Sequence, residues 1–447
     1  MAIKIHPVSG FDEVGKTMIV TEVGDDAFAF DMGLYIPALV QLEENRGKYT
    51  EKLLRSIKAL PDDLVLNSRN VINKIRGILI GHAHLDHVGG VPFLENRYNA
   101  NVYGTPFTTA FLEELLADNR IQMKNKAITV PLDTTVRIKG KNKDYEVEFI
   151  NITHSTIQTA IIAVHTPSGI IVYANDFKMD DTPVLGQKPN YQSLKRLAKE
   201  GVKLLIIDCL YSREDGKTPS EEVAREKLRR VLNEQKGEKN GLFVTTFSSH
   251  IARLKSITEF GKKINREVLF LGRSLNKYTN AAKKANSCPY QNDMKNMSYS
   301  NQVLKTLKMA QNERGKYLIV CTGHQGEKGS ILDRIARGVL PYKLTQKDHI
   351  VFSSRTIPTP ETFKSKEELL KNILPTGATV SEDIHVSGHG QKEDLKQLIE
   401  LLQPEHIIPS HGHHGLLSPV VKVAQEIGYV PGKTIHLVSN GQELEIK

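Results

Sequence analysis

Short apolar runs rich in β-branched residues, separated by turn residues, fill the first half of the chain. They fall at 17–23, 27–30, 77–80, 145–150, 160–164 and 170–174. Each is short enough, and most are bounded sharply enough by Gly, Asp or Asn, to predict a strand with one or both faces buried. Residues 50–60 and 104–118 carry a helical pattern instead. After Asp208 the texture changes. A charged helical stretch over 219–236 leads into alternating strand and helix patterns, with strands predicted at 242–246, 268–271, 317–320 and 349–352. Such alternation predicts a parallel, doubly wound sheet. Near residue 370 the first texture returns, with a strand predicted at 383–386, a helix over 391–402 and a strand at 405–409. The simplest layout is one domain, 1–207 and 370–447, interrupted by a second over 208–369. No internal repeat or low-complexity segment is visible.

Composition narrows the class. A chain of 447 residues exceeds one ordinary core, which agrees with two domains. With 39% hydrophobic and 25% charged residues it reads as globular, and no apolar run reaches the ~18 residues of a membrane span. The start, Met1-Ala2-Ile3-Lys4-Ile5-His6, has neither an apolar core nor a cleavage pattern, so no secretory signal is expected. Cys209, Cys288 and Cys321 have no metal-type spacing and cannot all pair, which fits a reducing cytoplasm. A net charge of +9 favours a polyanionic partner such as nucleic acid.

The chemistry gathers in one run, Gly81-His82-Ala83-His84-Leu85-Asp86-His87-Val88-Gly89-Gly90, directly after the strand predicted at 77–80. In extended chain His82 and His84 point to one side, and Asp86 and His87 follow where the chain can turn into a helix and face a second position. Neutral imidazole and carboxylate are ordinary zinc ligands. His154, Asp176 and His411 each follow a predicted strand and complete the set. One carboxylate, Asp176, can bridge two metals ~3.5–4 Å apart. A second candidate site is His385-Val386-Ser387-Gly388-His389-Gly390, where a hydroxyl, imidazoles and a glycine N–H make a phosphate cradle. A competing motif is Gly10-Phe11-Asp12-Glu13-Val14-Gly15-Lys16-Thr17, which matches the P-loop letter for letter. A P-loop opens a helix, whereas Met18-Ile19-Val20-Thr21 reads as a strand, and Asp12 and Glu13 would repel a nucleotide. A hairpin turn is expected there.

These motifs resemble those of a metallo-β-lactamase-fold nuclease of the β-CASP group, and within it the archaeal type of ribonuclease J. Asp31 matches the first motif, His82, His84, Asp86 and His87 the second, His154 the third and Asp176 the fourth, followed by acidic Asp208, then His389, then His411. Asp176-Phe177-Lys178, Thr245-Thr246-Phe247-Ser248-Ser249, Gly272-Arg273-Ser274, Thr322-Gly323-His324-Gln325-Gly326-Glu327 and the run at 385–389 tie the chain to ribonuclease J in particular. It departs from that pattern at His324, at Thr359-Pro360 after Ile357-Pro358, and at His413-His414. The chain stops at Lys447, where the core fold should close, so the extra C-terminal domain of bacterial relatives is not expected.

The resemblance implies an α/β fold, a metallo-β-lactamase αββα sandwich with an inserted β-CASP α/β domain. It implies two zinc ions, replaceable by manganese or magnesium in vitro. One takes His82, His84 and His154, the other Asp86, His87 and His411, with Asp176 between them and Asp31 orienting a ligand histidine. His389, oriented by Asp208, would protonate the leaving oxygen, and Asp86 is counted with the catalytic groups. The terminal phosphate would sit on His385, Val386, Ser387, Gly388 and His389, and the RNA path would use Ser248, Ser249, Arg253, Arg273 and Ser274. The expected activity is 5′→3′ exoribonuclease action on single-stranded RNA with a 5′-monophosphate end, in cytoplasmic RNA processing and decay. A homodimer through the core domains is one expected assembly, and no membrane partner is expected. The alternative is a β-CASP endoribonuclease of the polyadenylation-factor type.

Overall fold

The structure is a computed structural model and describes residues 2–40, 49–357 and 359–447. Pro358, one of the departures noted above, lies outside the described residues. The described chain divides into two compact units. One contains 2–36, Tyr49–Thr218 and Gly388–Lys447, and the other contains 37–40 and Pro219–Ser387.

The first unit is built on two sheets. One runs in the order Leu444–Ile446, Ile3–Ser9, Met18–Val23, Asp26–Phe30, Ile75–Leu79, Asn101–Gly104, Ala127–Thr129. The other runs His406–Ser410, Val202–Asp208, Gly169–Ala174, Ala160–Thr166, Asp144–Asn151, Thr134–Lys139. Their inner faces share one apolar core. Phe28 meets Tyr145 with ring centroids 5.0 Å apart, and Phe30 meets Tyr173 at the same spacing. Central strands such as Val202–Asp208 are buried on both faces, which explains their unbroken Leu and Ile runs. The helices Tyr191–Glu200, Lys392–Leu402 and His414–Glu426 cover the second sheet, and Pro106–Asn119 packs on the first. This is the αββα sandwich.

Within each sheet the strands that end next to the candidate residues run the same way. Asp26–Phe30 is parallel to Ile75–Leu79, and Gly169–Ala174 is parallel to Val202–Asp208, which is parallel to His406–Ser410. Asp31, His82, Asp176, Asp208 and His411 therefore all lie at or just beyond carboxyl ends of strands, the usual ligand-binding edge of such sheets. The P-loop-like segment 10–17 joins two strands paired antiparallel from Ile3↔Val23 to Ser9↔Met18, so it is a hairpin loop and opens no helix.

The second unit holds a six-stranded, wholly parallel sheet in the order Met294–Met297, Glu267–Leu271, Tyr317–Cys321, Gly241–Thr245, Asp348–Phe352, Thr379–Ser381. Two differences from the sequence reading stand out. Residues 383–386 form no strand, because the Ile384 carbonyl accepts from Arg253 Nη1 at 3.1 Å and from Ser353 Oγ at 2.9 Å in place of a neighbouring strand. And Thr218 N donates to Asp394 Oδ2 at 2.7 Å within the first unit while Thr379–Ser381 pairs with Asp348–Phe352 within the second, so the units divide at 218/219 and 387/388, not at 207/208 and 369/370.

Candidate metal centre

Three histidines close around one point. His84 Nδ1 lies 3.0 Å from His82 Nε2 and 3.1 Å from His154 Nε2. Asp176 Oδ2 lies 3.4 Å from His82 Nε2 and 3.6 Å from His154 Nε2. The other oxygen of the same carboxylate, Oδ1, faces a second group: His87 Nε2 at 3.2 Å, with Asp86 Oδ2 3.6 Å beyond that nitrogen and His411 Nε2 3.8 Å from Asp86 Oδ2. Asp176 thus gives one oxygen to each pocket, and both pockets are donor sets compact enough for a metal ion.

Outer contacts decide which nitrogens point inward. His82 Nδ1 donates to Asn175 Oδ1 at 2.8 Å, and the Asn175 amide is fixed by its own bond to Ala160 O. His154 Nδ1 donates to Gly388 O at 2.7 Å, and His87 Nδ1 meets Asp31 Oδ2 at 2.7 Å. Each imidazole is left presenting Nε2 to the interior, the arrangement that orients metal-ligating histidines. Asp31 is held by Tyr173 OH at 2.6 Å and Gly81 N at 2.8 Å, and its φ of 57° is a conformation that Asp tolerates better than most residues. Gly388 must be glycine where it stands: an added Cβ would come within 2.8 Å of Ser155 and 2.9 Å of His154 Cε1.

The electrostatics fit a cation. Asp31, Asp86, Asp176 and Asp208 crowd together, and among the described residues none of them pairs with a lysine or arginine. His87 Nε2 and Asp176 Oδ1 are buried and make no hydrogen bond, a costly state unless a ligand satisfies them. Burial, helped by the nearby His87, pushes His82 down to about 4, and burial drives His154 well below its usual range, so both are neutral with lone pairs available. His87 moves the other way because Asp176, Asp86 and Asp31 outweigh its burial, and it holds a proton where a metal would sit. The donor set of imidazole and carboxylate is what a borderline divalent ion prefers. His84, Asp86 and His389 keep side-chain exposures of 18%, 19% and 15%, which marks the face open to a substrate.

A third group adjoins these. His389 Nδ1 meets Asp208 Oδ2 at 2.7 Å, and its Nε2 lies 3.7 Å from Asp176 Oδ2. Burial would lower this histidine, yet the carboxylates of Asp176 and Asp208 prevail and push it up to about 9. Tyr211 stands beside it, ring centroids 5.7 Å apart.

The RNA-path candidates fall in the second unit, and one does not fit. Arg253 is completely buried. Its guanidinium binds Glu221 bidentately at 2.6 and 2.8 Å and donates to Ser353 O and Ile384 O. A side chain so committed cannot contact phosphate; it is a structural clamp. Arg273 is exposed, opening the helix Arg273–Lys284 after Glu267–Leu271, with Ser274 half-buried next to it. Ser248 and Ser249 are buried after Gly241–Thr245. His324 packs edge-on to Phe247 at 4.3 Å, and burial pushes it down to about 3.

Sequence reasoning missed Asn175, Tyr173 and the Gly388 carbonyl. Asn175 had a usable signal, since it adjoins Asp176 at the end of a strand. Tyr173 and a backbone oxygen carried none.

Comparison with known proteins agrees with this geometry. The chain matches the family described as Ribonuclease J, beta-CASP domain over residues 239–367, the Metallo-beta-lactamase superfamily over 71–178, and the Zn-dependent metallo-hydrolase RNA specificity domain over 378–431. It resembles a solved protein of unknown function from Enterococcus faecalis V583 in fold, with a TM-score of 0.63 at 15% identity over 100% of both chains. It is 31% identical to Ribonuclease J of Synechocystis sp. over 100% of this chain and 66% of that one. It is 36% identical to Ribonuclease J of Methanocaldococcus jannaschii over 100% of this chain and 99% of that one, and 37% identical to Ribonuclease J of Pyrococcus abyssi over 99% and 97%. Identity sustained at that level from end to end is a family relationship, and the chain belongs to the ribonuclease J family of metal-dependent nucleases.

Proposed function

We propose that this nuclease is a two-zinc 5′→3′ exoribonuclease that acts on single-stranded RNA and prefers a 5′-monophosphate end. The observation that carries the two-metal part is the split of Asp176, one oxygen facing the His82, His84 and His154 group and the other facing the Asp86, His87 and His411 group. Ions held there would activate a water molecule near neutral pH and neutralise charge gathering on the phosphate. The protein's own groups do the rest. Asp31, Asn175 and Gly388 O fix the ligand imidazoles. Asp86 reaches into the open face, where it can orient the attacking water. His389, raised by the carboxylates of Asp176 and Asp208 and aligned by Asp208, would donate its Nε2 proton to the departing 3′ oxygen. The products carry a 5′-phosphate and a 3′-hydroxyl.

Direction rests on the run His385-Val386-Ser387-Gly388-His389. A serine hydroxyl, a glycine N–H and imidazoles suit one small terminal phosphate, and a triphosphate would overfill such a seat. Free, buried cysteines suit a reducing cytoplasm, and among the described residues no helix is long and apolar enough to cross a membrane. The test uses 5′-labelled RNA bearing a monophosphate, triphosphate or hydroxyl end. Early release of labelled mononucleotide from the monophosphate substrate is expected. Internal fragments in equal yield from all three would make the enzyme an endonuclease instead. His84→Ala should nearly abolish cleavage in a protein that still folds, and full turnover in that variant would refute the metal assignment.

A further inference from the structure

The loop 10–17 has the letters of a P-loop and none of its structure, and the mechanism above assigns it nothing. Its contacts converge on one half of the metal centre. Gly10 O accepts from His411 N at 2.7 Å and from Gly412 N at 3.1 Å. Thr17 N donates to Asp86 O at 3.0 Å, and Thr17 O accepts from Gly33 N at 3.0 Å. Gly15, at φ 84°, passes so close to Asp86 that an added Cβ would lie 3.0 Å from its Cβ and 3.2 Å from Oδ2. Thr17 is buried and its Oγ1 lies 3.2 Å from His411 Nδ1, nearer than Asp176 Oδ1, which is 3.7 Å from the same nitrogen. The acidic residues that spoil a P-loop have a use here. Asp12 accepts from Asn440 N, and Glu13 accepts from Gly10 N and Asn440 Nδ2, which pins the loop to the C-terminal segment.

His411 needs such support. It is the last proposed ligand in the chain, and its φ of 68° is a left-handed conformation uncommon outside glycine, though histidine adopts it more readily than most residues. The other ligand histidines with an outer Nδ1 contact take it from carboxylate, amide or carbonyl groups at strand ends or, for His154, in the 388–389 turn. His411 alone takes its contact from a hydroxyl on this hairpin.

We infer that Thr17 is a positioning residue for the second metal: its hydroxyl accepts the His411 Nδ1 proton, fixes the tautomer that leaves the Nε2 lone pair free beside Asp86, and so governs retention of the ion bound by Asp86, His87 and His411. This rests on the two-metal reading above. The first pocket draws its outer contacts from Asn175, Gly388 and Ser155, none of which belongs to the loop, so loss of the hydroxyl should be felt in one pocket only.

The test is metal retention in the full chain, read without reference to catalysis. Native protein, Thr17→Val, Thr17→Ala and Thr17→Ser are loaded with Zn2+, titrated with a competing chelator, and assayed for zinc per chain by elemental analysis, with thermal melting of each metal-free form as the check of folding. Valine keeps the shape and removes the hydroxyl; alanine repeats the test should valine not fold. The native protein and the Thr17→Ser variant should hold two ions. The valine and alanine variants should hold one ion as tightly as native and lose the other ~10–100-fold more readily. Two ions retained at native affinity without the hydroxyl would overturn the inference, as would equal weakening of both or failure of serine to restore the second. A native chain that binds only one ion would instead refute the two-metal reading itself.

Discussion

Asp208 and His389 share a 2.7 Å contact, and its loss has a readable direction. A general acid works only while protonated, so the rate should fall as pH rises through the pKa of His389. That value stands at about 9 because Asp176 and Asp208 overcome burial, and cations beside Asp176 would draw it lower. Asp208→Asn removes one raising charge. The alkaline limb of the kcat/KM profile should therefore move to lower pH, with metal content unchanged; an unmoved limb would exclude His389 as the acid. At this scale the sequence was most legible where chemistry is rare. His82, His84, Asp86 and His87 sit within six positions, and the structure does bring them together with His154, Asp176 and His411. Their supports were not legible. Thr17 lies 394 positions from His411, and a threonine after a strand turn has no pattern to distinguish it.

The element scale turns on the segment that follows Thr379–Ser381. It reads as a strand from its alternating Ile384 and Val386, but local pattern cannot show that the Ile384 carbonyl is taken by Arg253 from the helix Ile251–Lys263. The same contact explains why Arg253 was misread as an RNA ligand: a cationic residue gives no sequence sign of being buried. Arg253→Met should destabilise the second unit by ~3–5 kcal/mol in urea unfolding, because Glu221 is left buried without its bidentate partner. Arg273→Ala should cost at most ~0.5 kcal/mol in the same measurement. It should, however, weaken RNA binding and reduce the slope of log affinity against log salt by about 1. Equal stabilities for the two variants would refute the division of roles.

At the scale of the whole molecule, each unit has its own apolar core, one shared by the two sheets of the first unit and one behind the parallel sheet of the second. Among the described residues the candidate metal centre lies in the first. Chelation should therefore lower one thermal transition and leave another in place, and an ion at ~1,000 times its Kd should return ~4 kcal/mol to the lower one. A single transition that moves as a whole would show the units to unfold together. The alternation of strand and helix patterns made the second unit legible as an insertion, while its limits were missed because neither the bond from Thr218 N to Asp394 Oδ2 nor the pairing of Thr379–Ser381 with Asp348–Phe352 can be read locally. The pairing of Val202–Asp208 with His406–Ser410 sets an order in time. Five of the seven proposed ligands have been synthesised by His154 and a sixth by Asp176, yet the seventh waits until residue 411, beyond the entire second unit. A ribosome adding ~5–20 residues per second spends at least ten seconds or so on that interval. Through most of it the nascent chain lacks His389, and through all of it His411, so a nuclease tethered by its own translation to messenger and ribosomal RNA is expected to stay unarmed until the second unit has been made.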